Sequence, residues 1–564
     1  MSRRRGQRKG GGGPKKGSKN GLRLLHCREN LAVMPPGAVQ RLFAEAVRAQ
    51  ASGELDKAQQ LCLELLKLDV KHAEGLHLLG IVLNGQGRPE VAASMLQRAI
   101  ALNPQEAAYF SNLGNSLHAM QKLDQAVAAY SRAIRLKPGF ADGWYNRANT
   151  RRDQGLLDDA VSDYKQAIRL RPDFAEAHCN LGGVLRNRGL LAEAEMHLRR
   201  GLALRPDYAD ATNNLAVTLQ DQGRLGEALA FFHRAVRLMP ENYDVQYNKA
   251  MAHLLAGDFE TGWREQEIRW KIKSAPRQLG KPQWMGERLN GERVLLHHEC
   301  GFGDTIQFMR FAPLAAARGA SVVMDVPPNL VRLARMLPGV TEVTATGSPL
   351  PAFDLQCPMM SLGLAFQVNE RTHPGTTPYV RVPEEARKRA TAAVEWPLHG
   401  LRVGLVWSGN PAFTRDQFRS VRFDDLRPLL GVQDTHFYAL QMGPARAQLR
   451  TMQADRSTPH VTDLTPFIVD MADTAALLVN LDLLITVDTA VAHLAGALRK
   501  TVWTMIPAAP DWRWLTQRTD TPWYPTMRLF RQQKLGEWLP LVEQLRQELA
   551  CSAQRVHELA AQPA

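Results

Sequence analysis

A period of 34 residues runs through the first half of this chain and fixes what that half can fold into. Pro104, Pro138, Pro172, Pro206 and Pro240 fall at that spacing without a slip. Ala92, Ala126, Ala160, Ala194 and Ala228 form a second column. Gly80, Gly114, Ala148, Gly182, Ala216 and Ala250 form a third, and Ala99, Ala133, Ala167, Gly201 and Ala235 a fourth. Between the columns apolar residues recur at three- and four-residue steps, as in GFADGWYNRANTRRDQGLLDDAVSDYKQAIRLRP. This pattern predicts two short amphipathic helices per unit, with small residues where helices cross and a proline that stops the second. Seven units span about residues 39–272. The first lacks the proline and the last has Gly262 where alanine is expected, as units that close a stack should differ from those inside it.

Asn112, Asn146, Asn180, Asn214 and Asn248 recur at the sixth position of five successive units. The spacing resembles the tetratricopeptide repeat, whose first helices line a concave surface. On that resemblance the amide column is expected to hold an extended peptide or protein segment through paired donor and acceptor contacts. His118, Arg152, Arg186 and Gln220 add polar groups nearby. The alternative is that each asparagine bonds within its own repeat.

The period ends at Trp270. Residues 273–290, basic and broken by Gly and Pro, read as a connector. From Arg293 the pattern changes to short apolar strands alternating with helices, and it restarts at LRVGLVWSGN (401–410). The expected fold is therefore an α-solenoid followed by α/β structure, with two Rossmann-like doubly wound domains over 291–395 and 396–564. Ligands of such domains bind at the carboxyl ends of the strands. Three loops fall there: CGFGDT (300–305), WSGNP (407–411) and VDTAVAH (487–493). Asp488 and Thr489 are expected to cap a helix whose free N–H groups suit a pyrophosphate. Asp488 as a bare cap and His493 as a satisfied histidine are equal alternatives. The glycines at 301 and 303 lack the third glycine of the dinucleotide pattern, because Ile306 stands there, so NAD is not expected. His297, His298 and Glu299 alternate faces along a strand and read as structural rather than as metal ligands.

RVLLHHECGFGDTIQFMRFAPLAAARGASVVMDV, taken with ITVDTAVAHLAGALRKTVWTMIPAAPDWRWL, resembles the glycosyltransferases of the heptosyltransferase type. More specifically, it is similar to bacterial proteins that fuse tetratricopeptide repeats to such a domain, and in architecture to O-linked N-acetylglucosamine transferases. The resemblance covers about 39–562. It implies a GT-B fold, an acceptor on the first α/β half, a nucleotide-sugar on the second, and no metal. Gly303-Asp304 matches the family's Gly-Asp pair, which makes Asp304 the expected catalytic base. Asp488, Thr489, Ala490 and His493 match its D-T-x-x-x-H phosphate loop. Gly404, Trp407, Asn410, Arg419 and Gln441 complete the expected donor side. Two positions depart from the pattern. Gln417 and Phe418 precede Arg419-Ser420 where a basic residue often stands, and Met442 replaces a frequent lysine after Leu440-Gln441. Two functions stay open. One is a cytoplasmic glycosyltransferase that needs no cofactor beyond its donor, with Arg415 and Arg419 restoring the lost charge. The other is a protein-binding scaffold whose glycosyltransferase-like domain is inactive.

Charge and cysteine usage narrow the partners. Net charge is +14, but residues 1–28 carry ten cations and no acid. The basic balance belongs to a tail, residues 1–38, that is expected to be disordered, so a nucleic-acid partner is expected only through the tail. Six scattered cysteines form no CxxC pair, which argues against zinc and disulfides and for a reducing compartment. The most apolar stretch, residues 472–498, is broken by Asp473, Asp482 and Asp488, so no membrane span is expected.

Overall fold

The computed structural model describes residues 37–272, 277, 279–413, 415–453 and 459–561. The basic tail expectation, for residues 1–36, lies outside them.

Fourteen helices form seven pairs of an α-solenoid. Six of them, from Ala38–Ala51 to Leu123–Leu136, belong to one compact unit; the other eight, from Ala141–Asp153 to Phe259–Glu265, belong to a second unit together with everything that follows. Second helices end at Leu102, Leu136, Leu170, Leu204 and Leu238, two residues ahead of each proline of the column. Ala92, Ala126, Ala160, Ala194 and Ala228 are fully buried. Where the crossing residue is glycine, its neighbour leaves no room for a side chain. A Cβ on Gly114 would lie 2.6 Å from the Tyr130 ring, and one on Gly182 would lie 2.6 Å from Leu198.

A further column escaped the sequence reading. Gly53, Gly87, Gly155, Gly189, Gly223 and Gly257 all end a first helix with positive φ, and Gln121 occupies the same place with φ 59°. The chain reverses there in the left-handed conformation, and the next N–H bonds back into the helix. In the glutamine repeat, Lys122 N donates to Leu117 O at 2.9 Å.

Two wholly parallel sheets follow within the second unit. The first contains β1 (Arg293–His297), β2 (Ser321–Val326), β3 (Val340–Ala345) and β4 (Leu355–Pro358), in the order β3-β2-β1-β4. The second contains β5 (Leu401–Val406), β6 (Thr435–Ala439), β7 (Val461–Asp463), β8 (Leu483–Val487), β9 (Val502–Ile506) and β10 (Met527–Arg531), in the order β10-β9-β8-β5-β6-β7. The inner strands are mostly apolar because helices cover both faces. Strands β8 and β9 are buried at every position.

The last repeat is sealed into this region by Trp263. Its indole N–H donates to Val368 O at 2.9 Å, and Trp512 meets it edge-on at 5.2 Å. Gly363 makes room, since a Cβ there would lie 2.5 Å from the ring. Burying one indole contributes on the order of 4–6 kcal/mol by area alone. Among the described residues no helix is long and apolar enough to cross a membrane.

Candidate functional site

Each sheet has one place where strand order reverses, and there the loops leave in opposite directions and open a crevice. In the second sheet β5 lies beside β8, so the reversal is flanked by the WSGNP loop and by Asp488-Thr489. In the first sheet β1 lies between β2 and β4, and the reversal is flanked by His298–Asp304. The helices that follow β1 and β8, Phe302–Phe308 and Ala490–Ala497, meet at Gly303. A Cβ on Gly303 would lie 2.9 Å from His493 Cδ2 and 3.7 Å from Ala490 Cα.

Arg513, in the loop after β9, ties the two sides together. It pairs with Asp304, lies 2.7 Å from Asp511 Oδ1, and donates from Nε to Gln307 Oε1 at 2.6 Å. The guanidinium sits 4.3 Å from the centre of the Trp512 ring. Asp304 also accepts from Gly301 N at 2.7 Å through its other oxygen. Both oxygens of the expected base are therefore engaged, one by a cation and one by the start of its own helix. The sequence reading passed over Arg513, although a cation between two tryptophans just after an apolar strand was visible in DWRWL.

The expected cap of the second helix is absent. Thr489 has the extended backbone of an N-cap residue, but no side chain caps this helix. The Thr489 hydroxyl instead meets Thr486 Oγ1 at 3.1 Å, so among the described residues the first N–H groups of Ala490–Ala497 carry no side-chain partner. Burial pushes the Asp488 carboxyl up to about 6, helped by Asp511 and opposed by Arg419, the Trp514 indole and Arg513. His493 is buried, bonds Tyr524 OH through Nδ1 at 2.9 Å and stacks on Trp514 at 5.2 Å. Its Nε2 lies 4.0 Å from Asp488 Oδ1. Burial, with Arg513 and Arg310 close by, drives the imidazole well below its ordinary value, so His493 is neutral at pH 7 and lends no positive charge to an anion.

The other donor-side residues divide between packing and contact. Gly404 is not a contact: a Cβ there would lie 2.6 Å from Leu481 and 3.0 Å from Leu440, because mid-strand alternation turns this position into the leucine core. Trp407 is also turned inward, fully buried and 4.2 Å from the centre of the Phe423 ring. Gln441 is spent on the backbone, accepting from Trp407 N and Ser408 N at 2.9 and 2.8 Å and donating to Ser408 O and Met442 O. Asn410 is exposed at the loop tip, its Oδ1 accepting from Ala412 N. Arg419 bonds Asp416 through Nε at 2.9 Å and covers the Phe413 ring.

Arg415, Gln417 and Phe418 face the repeats instead of supplying charge to the crevice. Arg415 pairs with buried Asp221 at 2.8 Å, and Gln417 Nε2 donates to Asn187 O at 3.0 Å. Phe418 covers Gly189, where a Cβ would lie 3.1 Å from the ring. The departure at 417–418 thus has a physical reason, namely docking onto the array. Arg415 does not replace the missing cation. Met442 is half exposed.

Three of the five asparagines reach back 35 positions to the preceding repeat. Asn112 Nδ2 meets His77 Nε2 at 2.7 Å, Asn180 Nδ2 donates to Tyr145 OH at 3.0 Å, and Asn248 Nδ2 donates to Asn213 Oδ1 at 3.4 Å. Asn180 also donates to Asn149 Oδ1 at 2.9 Å. These amides bracket neighbouring repeats, an arrangement that neither sequence alternative included. Asn146 and Asn214 occupy the same face and are partly exposed. Among the described residues no three His, Cys, Asp or Glu side chains are grouped to hold a metal.

Tetratricopeptide repeat models match residues 43–107, 114–155, 148–189 and 173–241, so the array consists of tetratricopeptide repeats. Protein FlbA of Caulobacter vibrioides is 27% identical over 323 residues, 52% of this chain and 53% of that protein. The chain spans about half the length of this curated relative. Among solved structures, MamA is 25% identical, covering 28% of this chain and 94% of its own, with a TM-score of 0.27. The thermophilic tetratricopeptide protein TTC0263 of Thermus thermophilus is 26% identical, covering 32% and 99%, with a TM-score of 0.28. PilF of Pseudomonas aeruginosa is 15% identical, covering 38% and 97%, with a TM-score of 0.35.

Proposed function

We propose that the α/β region is a GT-B glycosyltransferase that moves a sugar from a nucleotide-diphosphate donor to a protein held by the repeats, in the cytoplasm. One observation carries the reading: the reversal points of two parallel sheets face each other, with Gly303 against His493 and Arg513 paired to Asp304 across the gap. A donor on the second sheet would place its diphosphate at the uncapped start of Ala490–Ala497, near Arg419 and Arg513. Helix N–H groups and fixed guanidinium groups stabilise the negative charge that grows on a departing diphosphate. The acceptor would arrive from the repeats. Tyr247, beside Asn248 in the last first-type helix, is close enough for Arg513 and Arg269 to oppose the burial that pushes its phenol up to about 12.

The scaffold reading keeps one observation of its own. Asp304, Asp488 and Asp511 surround Arg513, which is an unfavourable charge balance for a diphosphate. A turnover assay separates the two. The full chain is incubated with a panel of nucleotide-sugars and with polypeptides retained by the immobilised repeats. Release of nucleoside diphosphate together with a sugar-sized mass gain on a polypeptide supports the transferase. Polypeptide capture with no diphosphate release supports the scaffold.

A further inference from the structure

His298 was set aside in the sequence as half of a structural pair, and the structure separates it from its neighbours. His297 is buried and bonds Gln356 Oε1 at 2.8 Å. Glu299 pairs with Arg269 at 2.9 Å and accepts from Met360 N. His298 instead stands at the carboxyl end of β1, half-buried, on the same loop as Asp304. Its backbone N–H donates to Asp325 O at 2.9 Å, and its Nδ1 lies 2.9 Å from Thr305 Oγ1.

The hydrogen bonds around Thr305 bear on where the imidazole proton sits. A threonine hydroxyl has one proton, and Thr305 Oγ1 lies 3.2 Å from Gly301 O as well as 2.9 Å from His298 Nδ1. With that proton donated to Gly301 O, the Thr305 oxygen accepts from His298 Nδ1–H, and this is the tautomer in which the Nε2 lone pair is bare. Among the described residues Nε2 has no hydrogen-bond partner. Asp304 differs in that each oxygen already accepts one bond, from Arg513 and from Gly301 N, so an acceptor hydroxyl there would share the carboxylate with a guanidinium. A group that removes a proton needs a free lone pair at the reacting atom before its basicity matters.

We propose that His298, rather than Asp304, takes the proton from the acceptor in the transfer reaction, an assignment that rests on the function proposed above. The acceptor O–H proton passes to His298 Nε2 as the acceptor oxygen forms its bond to the anomeric carbon. The bond from that carbon to the diphosphate oxygen breaks, and the electron pair leaves with the diphosphate. The histidinium then returns its proton to solvent. Asp304 is a positioning residue that holds Arg513 and the start of its helix. The titratable groups facing His298 are Asp325, Asp304, Glu299 and His297; burial outweighs the three carboxylates and holds the imidazole below its ordinary value, so the basic form prevails at pH 7.

The test uses the full chain and any nucleotide-sugar that the panel shows to be turned over. His298→Gln should lower transfer by at least about a hundredfold with donor affinity within threefold, and added imidazole should restore part of the rate. Wild-type kcat/KM should rise through a single group titrating below 6.5, and this limb should vanish in His298→Gln. Asp304→Asn should lose less than tenfold and keep the limb. Ring nitrogen-15 spectra of the uncomplexed protein should show a bare Nε2 and a protonated Nδ1. Transfer within threefold of wild type in His298→Gln, or a protonated Nε2 in neutral His298, overturns the assignment alone. A wild type inert toward every donor overturns the transferase reading, and the assignment with it.

Discussion

Asp304 and Arg513, 209 positions apart in the chain, form an ion pair that links the loop after β1 to the loop after β9. The guanidinium is 9% exposed and the carboxylate 25%. Removing the cation leaves Asp304 and the more exposed Asp511 without their shared partner, and Gln307 Oε1 without its buried donor. Arg513→Met should therefore cost about 2–4 kcal/mol, whereas Asp304→Asn, which keeps much of the bond to Gly301 N, should cost less. The double mutant measured by chemical denaturation should show a coupling of at least about 1 kcal/mol. Additive losses would mean that the pair does not hold the two loops together.

Asp488 gives a signed pH dependence. Its carboxyl, raised to about 6 in the folded chain, stands above the unfolded value of about 3.9. A raised folded value contributes stability that is present below pH 4 and lost as the pH climbs through 6. Asp488→Asn removes that loss. The variant should be more stable than wild type by about 2–3 kcal/mol at pH 8, and by clearly less at pH 5. Thermal melts at the two pH values check this, and a gain that does not grow with pH would contradict it.

Gln121 is the non-glycine member of the seven-residue left-handed column. An L-residue there costs roughly 1–2 kcal/mol, part of which glycine gives back through a freer unfolded chain. Gln121→Gly should stabilise the first unit by about 0.5–1 kcal/mol, and Gly155→Gln should destabilise its own repeat by a similar amount. Urea titration followed by circular dichroism reports both. A destabilising Gln121→Gly would show that the side chain matters more than the backbone.

The repeats were legible because their determinants are local. Proline stops, small crossing residues and apolar steps each act within one 34-residue unit, and repetition made them stand out. The left-handed column was equally local, but Gln121 interrupted it. The parallel sheets could be read from apolar runs and their alternation with helices. The site was harder, because residue type does not say which way a side chain turns. Trp407, just past the end of β5, and Gly404, in the middle of it, both face the core. Gln441 holds two backbone N–H groups that sequence cannot bring together. Arg513 and His298 gain meaning only from partners elsewhere, the first from a carboxylate on the helix after β1 and the second from a threonine hydroxyl on that same helix.

The asparagine column separates bracing from binding. Asn180 bonds Tyr145 and Asn149, so Asn180→Ala should cost about 1–2 kcal/mol of stability. Asn214 makes no side-chain hydrogen bond among the described residues, so Asn214→Ala should leave stability within about 0.5 kcal/mol of wild type. If this face holds polypeptide, Asn214→Ala should nevertheless reduce partner capture by severalfold. Unchanged capture in this variant would leave the column with a bracing role alone.

The central claim is that the crevice between the two sheets takes a nucleotide diphosphate. Calorimetric titration of the full chain with uridine, guanosine, cytidine, adenosine and thymidine diphosphates tests it directly. At least one should bind with a dissociation constant in the micromolar range, about −8 kcal/mol. Arg419→Ala, which leaves the sheet core untouched, should weaken that binding at least tenfold. If none of the five binds the wild type, or if the one that does is indifferent to Arg419→Ala, the crevice is not a nucleotide-sugar site and the transferase account fails.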